Sequence, residues 1–193
     1  LESENKNLVQ VASGFVCSRH ASRGWVWVDE LDKAGWTHSQ IGRFLSNLPF
    51  TEDTWKRVKE TLCESEAEYW RRVSVNPYQA KGEVYVAIDK LLEYGRPSSA
   101  IRCLYRILHD KQPLDKTRTI QALLSALSTT EPIDSMDGYY IIEMIKSLQD
   151  DPTTNLDDLA RVEWAYLQRL QRAHRGASPK TLENRLASNP GFF

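Results

Sequence analysis

Long apolar runs are missing from this 193-residue chain. None approaches the roughly 20 consecutive apolar residues that a membrane-spanning helix needs. The polar start, Leu1-Glu2-Ser3-Glu4-Asn5-Lys6, has no apolar stretch of the kind a signal peptide carries. Cysteine is scarce: Cys17, Cys63 and Cys103 are odd in number and far apart. Each falls in a helical pattern, where cysteine acts as a small hydrophobe, which points to a reducing, cytoplasmic setting and incidental thiols. Cys17 and His20 have the C-x-x-H spacing that opens some zinc sites. A closed site takes about four ligands, and no second Cys/His pair supplies them, so no metal or cofactor is expected. A charge excess of one sign is also lacking, the formal net charge being -1. Hydrophobic residues at 41% and charged residues at 26% are globular usage, and disorder would need fewer apolar residues or more net charge.

Catalytic signatures are missing as well. There is no G-x-x-x-x-G-K-S/T loop, no G-x-G-x-x-G after a strand, no G-x-S-x-G and no H-E-x-x-H. The nine glycines are scattered and build no phosphate cradle. The four histidines, His20, His38, His109 and His174, lie in different helices or connectors. Paired acids occur at Asp29/Asp32, Glu64/Glu66/Glu68, Asp150/Asp151 and Asp157/Asp158; most fit helix first turns, where the dipole favours negative charge. The chain reads as a non-enzyme.

Helix-period apolar stripes dominate what is present. Leu8, Val11, Ala12 and Phe15 share one face of a first expected helix. Trp25, Val28 and Leu31 mark a second, ending near Gly35. Thr37-His38-Ser39-Gln40 fits a capping box ahead of Ile41, Phe44, Leu45 and Leu48, and Pro49 stops that helix. Thr51 is the next expected N-cap, before Trp55, Val58 and Leu62. Ser65-Glu66-Ala67-Glu68 fits another capping box, before Tyr69, Trp70 and Val73. Val84, Ala87, Ile88, Leu91 and Leu92 line a further helix. Gly95 can take the positive φ of its C-terminus, and Ser98 can cap the next, with Ile101, Leu104, Tyr105 and Leu108. Asp115 caps a stripe of Ile120, Leu123, Leu124 and Leu127; residues 128–138, with Pro132 and Gly138, read as a loop. Ile141, Met144, Ile145 and Leu148 follow. Asn155 opens one longer helix with Leu159, Val162, Tyr166 and Leu170, and Ser178-Pro179 starts the last, with Leu182 and Leu186. The sum is about ten helices of roughly 8–16 residues on short connections. Trp25-Val26-Trp27-Val28 is the nearest approach to strand alternation, and it has no partner run.

Expected hairpins begin near Glu83, Thr117 and Leu156, at steps of about 34 and 39 residues, within the range of helix-pair solenoids. Residues 82–110 resemble a tetratricopeptide repeat: Val84, Ala87-Ile88 and Leu91 in the first helix, Gly95 at the turn, Ala100-Ile101 at the crossing, then Leu104 and Ile107. Pro97 departs from that pattern, as does the spacing of the neighbouring hairpins. The resemblance implies an all-α, irregular right-handed solenoid of the tetratricopeptide/HEAT kind. It would comprise an N-terminal helical region over residues 1–78 and stacked hairpins over 79–193. Gly35-Trp36-Thr37, Leu48-Pro49-Phe50, Thr54-Trp55, Glu68-Tyr69-Trp70-Arg71-Arg72 and Arg185-Leu186-Ala187-Ser188-Asn189-Pro190 resemble the helical region of very large bacterial multidomain proteins. That implies a bacterial origin and an accessory role, and transfers no active residue. The absent initiator Met and the closing Asn189-Pro190-Gly191-Phe192-Phe193 likewise suggest a segment of a longer chain.

The expected function is a non-catalytic protein-interaction or scaffold module, whose partner is another protein or a neighbouring domain. Trp36, Trp55, Trp70 and Trp164 match core spacing. Trp25 and Trp27, two apart, do not share a helix face, so one ring should be partly exposed and available to a partner. The second reading is nucleic-acid binding through the basic run of Arg161, Arg169, Arg172, His174, Arg175, Lys180 and Arg185, opposed by Glu163 and Glu183. The near-neutral chain argues against it. Candidate partner-binding residues are therefore Trp25, Trp27, Arg169, Arg172 and Arg175.

Overall fold

The computed structural model describes residues 5–80, 82–131, 136–172, 177–189 and 191, and the backbone alone of Arg172. Pro132, His174, Arg175, Pro190, Phe192, Phe193 and the first four residues, all used in the reading above, lie outside the described residues. The protein is all-helical, with eleven α-helices and no strand among the described residues. No described helix is long and apolar enough to cross a membrane. The chain divides into two compact units, Leu1–Lys90 and Leu91–Phe193.

The first unit opens with α1, Lys6–Glu30, capped by Asn5, whose side chain accepts the Asn7 amide at 3.0 Å. Two helices were expected here. One element runs through instead, kinked at Gly24, whose φ of 60° and ψ of -149° fall where only glycine is at ease. Residues 25–28 are helical, with no strand character. The amino-terminal stripe is not core: Leu8, Val11 and Phe15 are exposed, and α1 buries Val16, Trp27 and Val28. Among the described residues of the unit, no element covers that stripe.

Helix α2, His38–Leu45, begins with the full capping box of Thr37 and Gln40 and buries Ile41, Phe44 and Leu45. Helix α3 spans Glu52–Leu62 and buries Trp55, Val58 and Leu62. Thr51 stands at its N-cap without a side-chain bond to an amide. The Ser65 capping box does not form. Cys63–Ser65 are a single 3-10 turn, and the Ser65 hydroxyl meets His38 Nδ1 at 2.9 Å. Glu66 takes the N-cap of α4, Ala67–Trp70, and its carboxylate accepts the indole N–H of Trp70 at 3.0 Å. Phe50, Trp55, Tyr69 and Trp70 form an aromatic cluster with centroids 4.9–6.5 Å apart. Helix α2 packs on both α3 and α4. Helix α5, Val84–Glu93, crosses the boundary between the units.

In the second unit, Gly95 at φ 73° turns the chain into α6, Pro97–His109. Pro97 is the first helical residue, a favoured place for it. Ser98 is inside the helix and buried rather than capping it. The amides of this end find another acceptor: Glu131 takes the Ser99 amide at 3.2 Å together with the Ser99 hydroxyl and Arg96. Helix α7, Lys116–Ser125, is capped by Asp115 as expected, through the Arg118 amide at 2.9 Å. Helix α8 spans Asp137–Asp150, so Gly138 is helical and not part of a loop. Asn155 caps α9, Leu156–Ala165. The single long helix expected there is two: Tyr166 ends α9, and α10 runs Leu167–Arg172. Helix α11 spans Lys180–Ser188. Helix α6 packs on α7 and α8, α7 on α9, α8 on α9, and α9 on α11.

Candidate partner-binding site

The kink at Gly24 sets the two sequence-nominated tryptophans. Trp27 is only 9% exposed, with its ring 5.9 Å from Phe44 and 6.3 Å, edge-on, from Phe15. Trp25 is half-buried between His20, edge-on at 4.8 Å, and the Arg57 guanidinium, 4.2 Å from its ring centroid. Arg57 is fixed by a two-point pair with Asp29, at 2.5 and 3.2 Å. A cation held over an indole face is favoured by the ring quadrupole. Burial, and then Arg57, hold the His20 imidazole below its usual pKa. Both tryptophans are engaged within the unit, and the side chain turned outward here is Val26, 62% exposed.

Beside Trp27 lies a groove of about 410 Å³ walled by Phe15, Val16, Trp27, Leu31, Trp36 and Phe44, with Gln40 and Arg43 at its edge. Phe15 belongs to this wall and also to the exposed stripe of α1, so groove and stripe are continuous. Sequence reasoning named Phe15, Trp27, Leu31, Trp36, Gln40 and Phe44 of this surface but not Val16 or Arg43, and placed Leu8, Val11 and Phe15 on one helix face.

No family model, curated protein or solved structure matches the chain.

Of the basic segment, the described side chains are those of Arg161, Arg169, Lys180 and Arg185. Arg161 faces Asp158 at 3.6 Å, and Arg185 pairs with Asp157. Arg169 is exposed and reaches toward Gly138 of α8. The side chain of Arg172, and all of Arg175, lie outside the described residues. Glu163, read as a counter-charge within this run, is fully buried. Its carboxylate accepts the Leu182 amide at 2.6 Å, the Thr181 amide at 3.3 Å and Gln149 Nε2 at 2.7 Å. These are the first-turn amides of α11, so Glu163 caps a helix that lacks a capping side chain of its own. Trp164, expected in the core, is 54% exposed on α9.

A second groove, about 800 Å³, lies in the second unit along α6 and α8. Its ring wall is Tyr105, stacked on Tyr140 at 4.1 Å, with Tyr139 at 5.7 Å. A hydrogen bond with Tyr139, then burial, push the Tyr105 hydroxyl up to about 12. Two ion pairs line this groove, Lys116 with Asp151 at 2.9 Å and Lys146 with Glu143 at 3.2 Å, and Asp150 stands beside them. Groups paired in this way neutralise one another. Of the thiols, Cys103 is buried, and burial pushes it up to about 12. Cys17 and Cys63 are exposed, and the Cys17 thiol donates to the Asn47 carbonyl at 3.1 Å. No group of three or more metal-ligating side chains occurs among the described residues.

Proposed function

We propose that the chain is a non-catalytic protein-interaction or scaffold module of a larger bacterial, cytoplasmic protein, built as an irregular tetratricopeptide/HEAT-like solenoid. The observation that carries this reading is the packing order in the second unit. Alternate helices stack, α6 on α8 and α7 on α9, while successive ones also touch. Each hairpin has an apolar face that it cannot bury alone, and neighbour stacking is how solenoids cover such faces and extend a binding surface. The role rests on that architectural analogy.

Within this reading Trp164 is a contact anchor. It sits on α9 with half its surface in solvent, and large aromatics at interface centres dominate binding energy. The experiment places a photo-cross-linking amino acid at position 164 of the full chain. The captured protein is then purified and titrated against the unmodified chain. A saturable complex weakened about tenfold or more by Trp164→Ala supports the reading. A captured protein that does not bind when purified, or that binds Trp164→Ala equally well, refutes it.

A further inference from the structure

We propose that the contact between His20 and Trp25 is an acid-sensitive clasp across the kink of α1: a second proton on the imidazole parts the two rings and turns the Trp25 indole out to solvent. This goes beyond the interaction reading and uses no residue of the second unit, so the two stand or fall on separate measurements.

The geometry comes first. His20 stands before the kink at Gly24 and Trp25 after it, so their edge-on contact at 4.8 Å ties one arm of the helix to the other. Trp25 is held a second time by the Arg57 guanidinium of α3, 4.2 Å from its centroid. Asp29 fixes Arg57 through both carboxylate oxygens. One half-buried indole therefore serves an imidazole and a cation at once. The Nε2 atom of His20 is sealed from solvent and has no hydrogen-bond partner among the described residues.

A second proton makes both ring nitrogens donors. Nε2 then carries a charged N–H without an acceptor, which costs far more than an unpaired nitrogen on a neutral ring. The new charge also faces Arg57, and burial and then Arg57 already hold this imidazole below its ordinary 6.5. The other charged groups of this arm are engaged: Arg19 lies over Phe15 at 5.4 Å, and Arg23 pairs with Glu30 at 2.8 Å. The cavity of about 400 Å³ beside His20 is lined by the Cys17 thiol and the uncharged groups of Ser46, Asn47, Ser74, Asn76 and Gln79. No carboxylate lines it among the described residues. The charged ring is relieved by reaching water, and that movement gives up its contact with Trp25. Histidine changes charge between about pH 5 and 8, so such a clasp opens on mild acidification.

The test uses the full chain labelled with 5-fluorotryptophan and read by fluorine NMR from about pH 8 to about pH 5. Trp25→Phe assigns the Trp25 signal, and His20→Gln assigns the His20 Cε1 proton. The Trp25 signal is expected to move together with His20, at a midpoint below 6.5, while those of Trp36, Trp55, Trp70 and Trp164 stay in place. The movement should vanish in His20→Gln, and Arg57→Gln should shift the His20 midpoint upward. A folded-state pKa below the unfolded one gives stability that is whole above pH 6.5 and lost as pH falls, so the wild type should lose more on acidification than His20→Gln. The wild-type titration needs no variant to fold. A Trp25 signal that stays while His20 titrates, a movement that persists in His20→Gln, or a His20 midpoint at or above 6.5 overturns the proposal. Joint movement of all six tryptophan signals also overturns it, because that is general acid unfolding. None of these outcomes touches the Trp164 cross-link, which reports on the scaffold reading alone.

Discussion

Replacing Gly42 with alanine should destabilise the first unit, although the same change elsewhere in that unit should stabilise it. Gly42 is buried in the interior of α2. A Cβ added there would lie 2.6 Å from the Glu68 Cβ and 2.7 Å from both the carbonyl carbon and oxygen of Glu68. Contact without repulsion begins near 3.4 Å. Helices α2 and α4 must therefore part by most of an ångström, and α4 carries Tyr69 and Trp70, both fully enclosed in the aromatic cluster. Two terms compete. Alanine favours a helix over glycine by about 0.5–1 kcal/mol. Overfilling a close-packed contact costs about 1–3 kcal/mol, toward the upper end when the obstacle is backbone. The expected net loss is about 1–2 kcal/mol.

Gly14 is the internal control. It lies in α1 with nothing within 4 Å of a new Cβ, so Gly14→Ala should gain about 0.5–1 kcal/mol. Urea denaturation followed by tryptophan emission reads both, because Trp25, Trp27, Trp36, Trp55 and Trp70 all belong to the first unit. Adding Glu68→Ala to Gly42→Ala should not restore stability, since the obstructing atoms are backbone and a retained Cβ. A Gly42→Ala midpoint equal to or above wild type, or rescue by Glu68→Ala, would refute the close approach of α2 and α4.

Three further outcomes are expected. Gly24→Ala should cost about 1–3 kcal/mol in the same assay despite open space around it, because φ 60° with ψ -149° strains any residue with a side chain; an unchanged midpoint would mean that α1 is not kinked there. Glu163→Leu should cost about 2–4 kcal/mol, and Glu163→Gln less, since leucine strands two first-turn amides and removes one of the two acceptors of Gln149 Nε2, the Ser178 carbonyl being the other, while glutamine keeps one acceptor. Hydrogen exchange should quicken first in α11, and uniform quickening across the second unit would contradict the capping role. Tyr166 donates to the Leu123 carbonyl at 2.6 Å, and burial pushes its hydroxyl from 10.0 up to about 12. A folded pKa above the unfolded one contributes stability that is whole below pH 10 and lost as pH rises toward 12. Tyr166→Phe should be about 1 kcal/mol less stable near pH 7 and should lose less on alkaline titration; an identical alkaline slope would refute that link.

Local signals were legible wherever a helix supplies its own ending. The box of Thr37 and Gln40, the caps Asp115 and Asn155 and the positive φ of Gly95 all formed. So did the buried stripes Ile41/Phe44/Leu45, Trp55/Val58/Leu62 and Ile141/Met144/Ile145/Leu148. The candidate surface was harder to read. Leu8, Val11 and Phe15 have the periodicity of a core face, and periodicity records which residues share a side, not whether anything covers them. Trp164 failed in the same way. Ser65 failed differently: its hydroxyl had a competing partner in His38, 27 residues away, which a four-residue motif does not contain.

Two buried or half-buried acids carry the more general lesson. Glu131 and Glu163 each serve the first turn of a helix to which they do not belong, reaching 32 residues back to Ser99 and 19 forward to Leu182. In both cases the helix has no capping side chain at its own start. A carboxylate at that place satisfies orphan amides and complements the dipole, so it gains what a local cap gains, but only when both helices are docked. A local cap steadies a helix alone, whereas a borrowed one steadies the contact between elements. The Glu163→Leu comparison isolates this difference. Losing a borrowed cap should loosen α11 from α9 before it unwinds either helix, and the carboxylate is therefore part of the packing order from which the interaction reading is drawn.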